Sequence, residues 1–90
     1  VRVKVRYQGA FADAAHAREA VYEFASATVD SLIDYLLQRN EERFRFLMLD
    51  PFTGKMRSGT TILVNGQRMD LYHVLHDNDT VTLLTPLAGG

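Results

Sequence analysis

TVTLLTPLAGG, residues 80–90, is a strand-like run followed by one proline and two glycines. Val81 and Leu83 fall on one face and Leu84 on the other, as in a strand with a two-residue period. At the opposite end, VRVKVRY (residues 1–7) alternates strictly. Val1, Val3, Val5 and Tyr7 point one way; Arg2, Lys4 and Arg6 point the other. Both runs are rich in Val and Leu, which predicts that the first and last strands lie at the centre of the sheet, side by side and parallel.

The segments between them complete the pattern. QGAFADAAHAR is a connection with a helical turn around Asp13 to Ala17, and EAVYEFA alternates again, with Tyr22 and Phe24 on one face. These two runs pair as an antiparallel hairpin with a long loop. In TVDSLIDYLLQRN the period changes: Val29, Leu32, Ile33, Leu36 and Leu37 fall at i, i+3, i+4, i+7 and i+8, a one-faced amphipathic helix. Thr28 is its N-cap, Asp30 and Arg39 suit the two ends of the helix dipole, and Asn40 is a C-terminal stop. FRFLML (44–49) is read as a short strand and DPFTG (50–54) as a turn. TTILVNGQRM gives strand, Asn-Gly turn and short strand; DLYHVLH is a single helical turn and DND another turn. The order β–β–α–β–β–β predicts an α+β protein in which a mixed sheet of four to five strands packs on one main helix. That is the ubiquitin-like β-grasp arrangement, here one domain over 1–90 with a flexible tail at about 86–90.

Composition narrows the function classes. The chain has 90 residues, 47% hydrophobic and 23% charged, which suits a single small folded domain. With a formal net charge of -1 it offers phosphate no overall attraction, so nucleic acid is not an expected partner. No apolar run approaches the roughly 20 residues of a membrane span, so no membrane partner is expected. There is no cysteine, which removes disulfides, zinc–thiolate sites and thiol catalysis from this chain. With no signal-peptide pattern before the first strand, the expected location is cytoplasmic.

Several residues invite sharper readings. His73 and His76, with Asp77 and Asp79 nearby, lack an assured third ligand and are read as surface imidazoles at a capped turn; no metal is expected. Arg39, Arg43 and Arg45 are interleaved with Phe44 and Phe46, an RNA-like pattern. Glu41 and Glu42 break it, and the two phenylalanines are expected to fill the core beneath the helix. Arg2, Lys4 and Arg6 form a basic stripe, either a solvated face or a complement to an acidic partner. Met48, Leu49 and Phe52 are core if their segment lies over the sheet, and an interface patch if it does not.

ILVNGQ followed by LHDNDTVTLLTPLAGG resembles MoaD, the small subunit of molybdopterin synthase, and its sulfur-carrier relatives. The matching positions are Val64, Asn65, Gly66, Leu75, Asp77, Asp79, Val81, Pro86, Gly89 and Gly90. Asn78 stands where glycine is common in that family. The segment from Asn40 to Gly59 is longer than in the compact bacterial forms and closer to archaeal MoaD-type modifiers. A thiamin-pathway carrier fits less well, because those chains are usually shorter and lack this middle segment.

The chemistry implied by the resemblance suits the residues. A C-terminal carboxylate has an ordinary pKa of about 3.3–3.7 and is ionised at neutral pH. It can attack the α-phosphate of ATP held by another protein, giving an acyl-adenylate from which a sulfur donor displaces AMP to leave a thiocarboxylate. Glycine has no Cβ and passes narrow channels; Pro86 fixes φ and favours an extended exit from the sheet. From Thr85 to Gly90 an extended chain reaches about 17 Å, at roughly 3.3–3.6 Å per residue. Gly90 would be the reacting group and Gly89 its clearance, while Leu84, Pro86, Leu87 and Ala88 contact the partner.

In this reading the chain is not catalytic alone and binds no cofactor; ATP is used by the activating partner. The resemblance implies two partners. One is an adenylating enzyme of the ubiquitin-activating type. The other is the large subunit of molybdopterin synthase, where sulfur passes to the pterin precursor of the molybdenum cofactor. The same tail also serves an alternative, a ubiquitin-like modifier joined to lysines through Gly90. A third reading is a β-grasp interaction domain whose tail plays no part.

Overall fold

The structure, a computed structural model, describes residues 1–85. Eight elements follow one another: β1 (Arg2–Tyr7), α1 (Ala10–Ala15), β2 (Glu19–Glu23), α2 (Val29–Arg39), α3 (Glu42–Met48), β3 (Thr61–Val64), β4 (Gln67–Arg68) and β5 (Asp79–Leu84). The strands form one sheet in the order β2-β1-β5-β3-β4. β1 and β5 are parallel neighbours, with Val5 opposite Val81 and Tyr7 opposite Leu83. The pairs β1–β2, β3–β5 and β3–β4 are antiparallel. The predicted central pair is therefore present, with five strands in a mixed sheet.

The period-2 pattern decides which face is buried. Val3, Val5, Tyr7, Ile62, Val64, Val81 and Leu83 join one hydrophobic core with the α2 stripe of Val29, Leu32, Ile33, Leu36 and Leu37. Fully burying a side chain of this size contributes about 1.5–3 kcal/mol, so this stripe holds the helix on the sheet far more firmly than its intrinsic propensity could.

The start of α2 satisfies its unpaired amides completely. Thr28 Oγ1 accepts from the Ser31 amide at 3.1 Å, and Ser31 Oγ accepts from the Thr28 amide at 2.9 Å. The Val29 and Asp30 amides donate to the carbonyls of His73 and Leu71 at 3.0 and 2.9 Å. Of DLYHVLH, expected as a single helical turn, only Asp70 to His73 close a turn, the His73 amide donating to the Asp70 carbonyl at 3.2 Å, and residues 71–76 build no helix. Their carbonyls are committed to α2, and Val74 bridges Thr28 in antiparallel fashion. Asn40 ends the helix as expected, its Nδ2 donating to the Leu36 carbonyl at 2.8 Å.

FRFLML is also corrected. Residues 44–48 belong to a helix, α3, not a strand. Phe44, Phe46 and Met48 fit a two-residue period, but Phe44 and Met48 also fit one helical turn, and a run this short cannot decide between them. Packing decides: Phe44 and Met48 are completely buried, while Phe46 is 58% exposed. Phe44 packs against Phe11 of α1 and Tyr7 of β1, with ring centroids 5.2 and 6.0 Å apart. Phe46 was expected in the core and lies outside it. Of the three residues left open, Met48 is core, Leu49 packs against the core in part, and Phe52 is 96% exposed.

Candidate functional site

Leu84 is the last residue of β5 and lies half-buried on the face opposite the core. It is held on one side by Thr61 of β3, its partner in the ladder. On the other side the Gln8 amide donates to the Leu83 carbonyl at 3.1 Å. The strand is therefore gripped on both flanks to its final residue. Thr85 follows at 6% exposure, and its hydroxyl has no hydrogen-bond partner among the described residues. Of the positions assigned to the tail and its contacts, Leu84 is placed here. Pro86, Leu87, Ala88, Gly89 and Gly90 lie outside the described residues.

The start of β5 is fixed by a polar network the sequence reading did not anticipate. Asn65 and Gly66 take φ of 51° and 82°, the two-residue hairpin turn expected from Asn-Gly. The Asn65 side chain then extends the ladder: its Oδ1 accepts from the Thr80 amide at 2.9 Å and its Nδ2 donates to Asp79 Oδ1 at 2.8 Å. Asp79 Oδ2 accepts from the His76 amide at 2.7 Å. Burial works against the Asp79 charge, yet these hydrogen bonds, with the imidazoles of His76 and His73 nearby, hold its carboxyl below the ordinary value. Asp77 Oδ1 accepts from the Arg2 amide at 2.7 Å, and the Asn78 amide donates to the Arg2 carbonyl at 2.7 Å. Asn78 has φ of 69°, a left-handed conformation that Asn tolerates and that accounts for glycine being common there in the resembling family. The Val-Asn-Gly and Asp-x-Val positions thus fix the start of β5.

The open sheet face carries the basic stripe. Arg2, Lys4 and Arg6 are all exposed. In register they stand against Glu23, Val21 and Glu19 of β2, and Lys4 and Arg6 stand against Thr80 and Thr82 of β5. Thr82 faces Leu63 of β3, which faces the exposed Arg68 of β4. Half-buried Leu63 and Leu84 lie on this same face, which carries exposed Glu19 and Glu23 at its β2 edge beside the basic stripe.

The remaining candidates resolve differently. Arg39 lies over the rings of Tyr22 and Tyr35, 5.3 and 5.7 Å from their centroids, and donates to Tyr35 Oη at 3.0 Å. The Tyr7 and Tyr22 hydroxyls are 2.9 Å apart. Burial, then this hydrogen bond, push the Tyr7 phenol far above its ordinary value. With Phe44 in the core and Arg39 committed to tyrosines, the RNA-like pattern does not form one surface. Among the described residues no group of three or more His, Asp or Glu side chains is placed to hold a metal ion, and no helix is long and apolar enough to cross a membrane.

Comparison with known proteins bears on the whole chain. The family model described as the ThiS family matches residues 5–90. Among curated proteins, none matches the sequence. SAMP1, a small archaeal modifier protein, from Haloferax volcanii is 20% identical, with each chain covered completely and a TM-score of 0.85. A Pyrococcus furiosus chain assigned as molybdopterin converting factor, subunit 1, is 28% identical over 97% of this chain and 99% of its own, with a TM-score of 0.77. A chain of the complex of subunits 1 and 2 of the molybdopterin-converting factor from Helicobacter pylori is 23% identical, with both chains fully covered and a TM-score of 0.63. The five-stranded mixed sheet, its polar anchor around Asn65 and Asp79, and the match running through Gly90 agree: the chain belongs to the ThiS family, the ubiquitin-like sulfur carriers and modifiers that include MoaD.

Proposed function

We propose that this chain is a sulfur carrier that acts as the small subunit of a molybdopterin synthase, with Gly90 as its reacting residue. The observation that carries the reading is the join between strand and tail. Pro-Leu-Ala-Gly-Gly follows directly on Thr85, the buried residue after a central strand gripped on both flanks. With the strand fixed as far as Thr85, about 17 Å of extended chain would suffice to put Gly90 into a partner's site while the domain stays outside.

The steps balance without a catalytic group from this chain. The Gly90 carboxylate attacks the α-phosphate of ATP on an adenylating enzyme, forming an acyl-adenylate and releasing pyrophosphate. A sulfur donor displaces AMP, leaving the thiocarboxylate. On the large subunit the thiocarboxylate sulfur bonds to the pterin precursor, and water then cleaves the acyl–sulfur bond, returning the Gly90 carboxylate. The open face, with Arg2, Lys4, Arg6 and Arg68 around Leu63 and Leu84, suits docking onto an acidic surface with an apolar centre. The Pyrococcus and Helicobacter relatives support the molybdopterin role. The full-length likeness to SAMP1 supports the second reading, in which Gly90 is joined to a lysine of another protein.

Appending one alanine after Gly90 tests the shared step. With an adenylating enzyme of the ubiquitin-activating type, the native chain should drive ATP–pyrophosphate exchange and the extended chain should not. Equal exchange from both would refute the tail chemistry. Slower-migrating conjugates in lysate, lost with the appended alanine, would favour the modifier reading over the carrier.

A further inference from the structure

Phe52 is the most exposed large hydrophobic side chain among the described residues, at 96%. It does not sit on a loose loop. Asp50 Oδ1 accepts from the amides of Phe52 and Thr53 at 2.8 and 3.3 Å, and the Gly54 amide returns to the Asp50 carbonyl at 2.8 Å. The Asp50 amide donates to the Lys55 carbonyl at 2.8 Å, and the Lys55 amide donates to Thr53 Oγ1 at 3.2 Å. Gly54 turns the chain at φ 72°, and an antiparallel bridge from Leu49 to Met56 closes the base. The phenyl ring is thus presented on a braced turn, so fixing it in an interface costs little further ordering.

Beside the knob is a hole. Phe46 and Leu49 at the end of α3, with Pro51 and Gly54 of the same turn, line a cavity of about 240 Å³ whose rim carries Glu42, Arg45 and Asp50. One side of the Phe46 ring is closed by the Arg57 guanidinium, 4.5 Å from the centroid. An apolar cavity of roughly 150 Å³ is known to hold benzene, so this one has room for a phenyl ring.

From this pairing we propose that the α3–turn surface associates with a second copy of the same chain about a two-fold axis, each Phe52 entering the other copy's hole. A knob and a hole side by side on one surface are self-complementary only in that arrangement. A different partner would have to supply both a ring and a socket at the same spacing. The charges favour it on balance: Lys55, three residues from the knob, would arrive at a rim where the carboxylates of Glu42 and Asp50 outnumber the one guanidinium of Arg45. An aromatic side chain buries about 150–250 Å², so two knobs and two holes bury roughly 600–1,000 Å² in all. That is below the size of a standard stable interface, so the dimer is weak. This inference does not depend on the proposed sulfur chemistry.

Sedimentation equilibrium of the native chain, at loadings up to about 2 mM, should show the dimer, and Phe52→Ser should weaken it at least tenfold with no change in melting temperature. A native chain that stays monomeric throughout, or a Phe52→Ser variant that associates as well as the native chain, would overturn the proposal. The variant keeps the hole, which locates the contact. Isotope-labelled Phe52→Ser titrated with unlabelled native chain should shift the amides of Phe46, Leu49 and Gly54. Shifts confined to the open sheet face would also overturn it.

Discussion

The Asp79 carboxylate is engaged at both oxygens, by the His76 amide on one and the Asn65 side chain on the other. Its ionised form is favoured by folding. The stability it contributes is therefore complete above the unfolded carboxyl pKa of about 4 and is lost as pH falls through the lower folded value. Replacing Asp79 by Ala should cost roughly 1–2 kcal/mol at pH 7, from hydrogen bonds lost to groups that stay in place. Urea unfolding checks this: the gap between variant and native chain should narrow on going from pH 7 to pH 2. A gap that stays constant with pH would show that the charge of Asp79 plays no part.

Helix α3 is where packing overrode the local pattern. Phe44, Phe46 and Met48 alternate as a strand would, and Pro51 three residues on can follow a strand as well as a helix. Only contact with Phe11 and Tyr7 tells which phenylalanine faces inward. Phe44→Ala should destabilise the chain by about 3–5 kcal/mol, whereas Phe46→Ala should cost less than about 1 kcal/mol, both read from chemical denaturation. Equal costs would mean that α3 does not present Phe44 alone to the core. By contrast β1, α2, the Asn-Gly hairpin and β5 were legible because each carried a strong period or specific turn chemistry. The loop at 71–76 was misread because its carbonyls serve α2, a demand set by an element more than thirty residues earlier. Of the candidate site, the outward position of Leu84 at the end of the last strand was legible in the sequence, while the Gly-Gly motif lies outside the described residues. The braces that fix the strand were not legible. Gln8, Asn65 and Asp79 act through contacts that only the folded sheet brings together.

For the whole molecule, the layout separates three surfaces: a core face under α2, an open sheet face that carries the basic stripe and Leu84, and the braced α3–turn surface. If the open face docks the partner, reversing Arg2, Lys4 and Arg6 together to Glu should slow association with the adenylating enzyme more than it speeds dissociation, and should remove most of the salt dependence of the on-rate. Stopped-flow binding at two ionic strengths reads this directly; an unchanged on-rate would place docking elsewhere. The central claim concerns the end of the chain. The decisive measurement is the intact mass of the protein after incubation with its adenylating enzyme, ATP and a sulfur source. The account predicts a gain equal to the replacement of one terminal oxygen by sulfur, abolished by removing Gly90. An unchanged mass, with an enzyme shown to be active, would contradict the carrier chemistry.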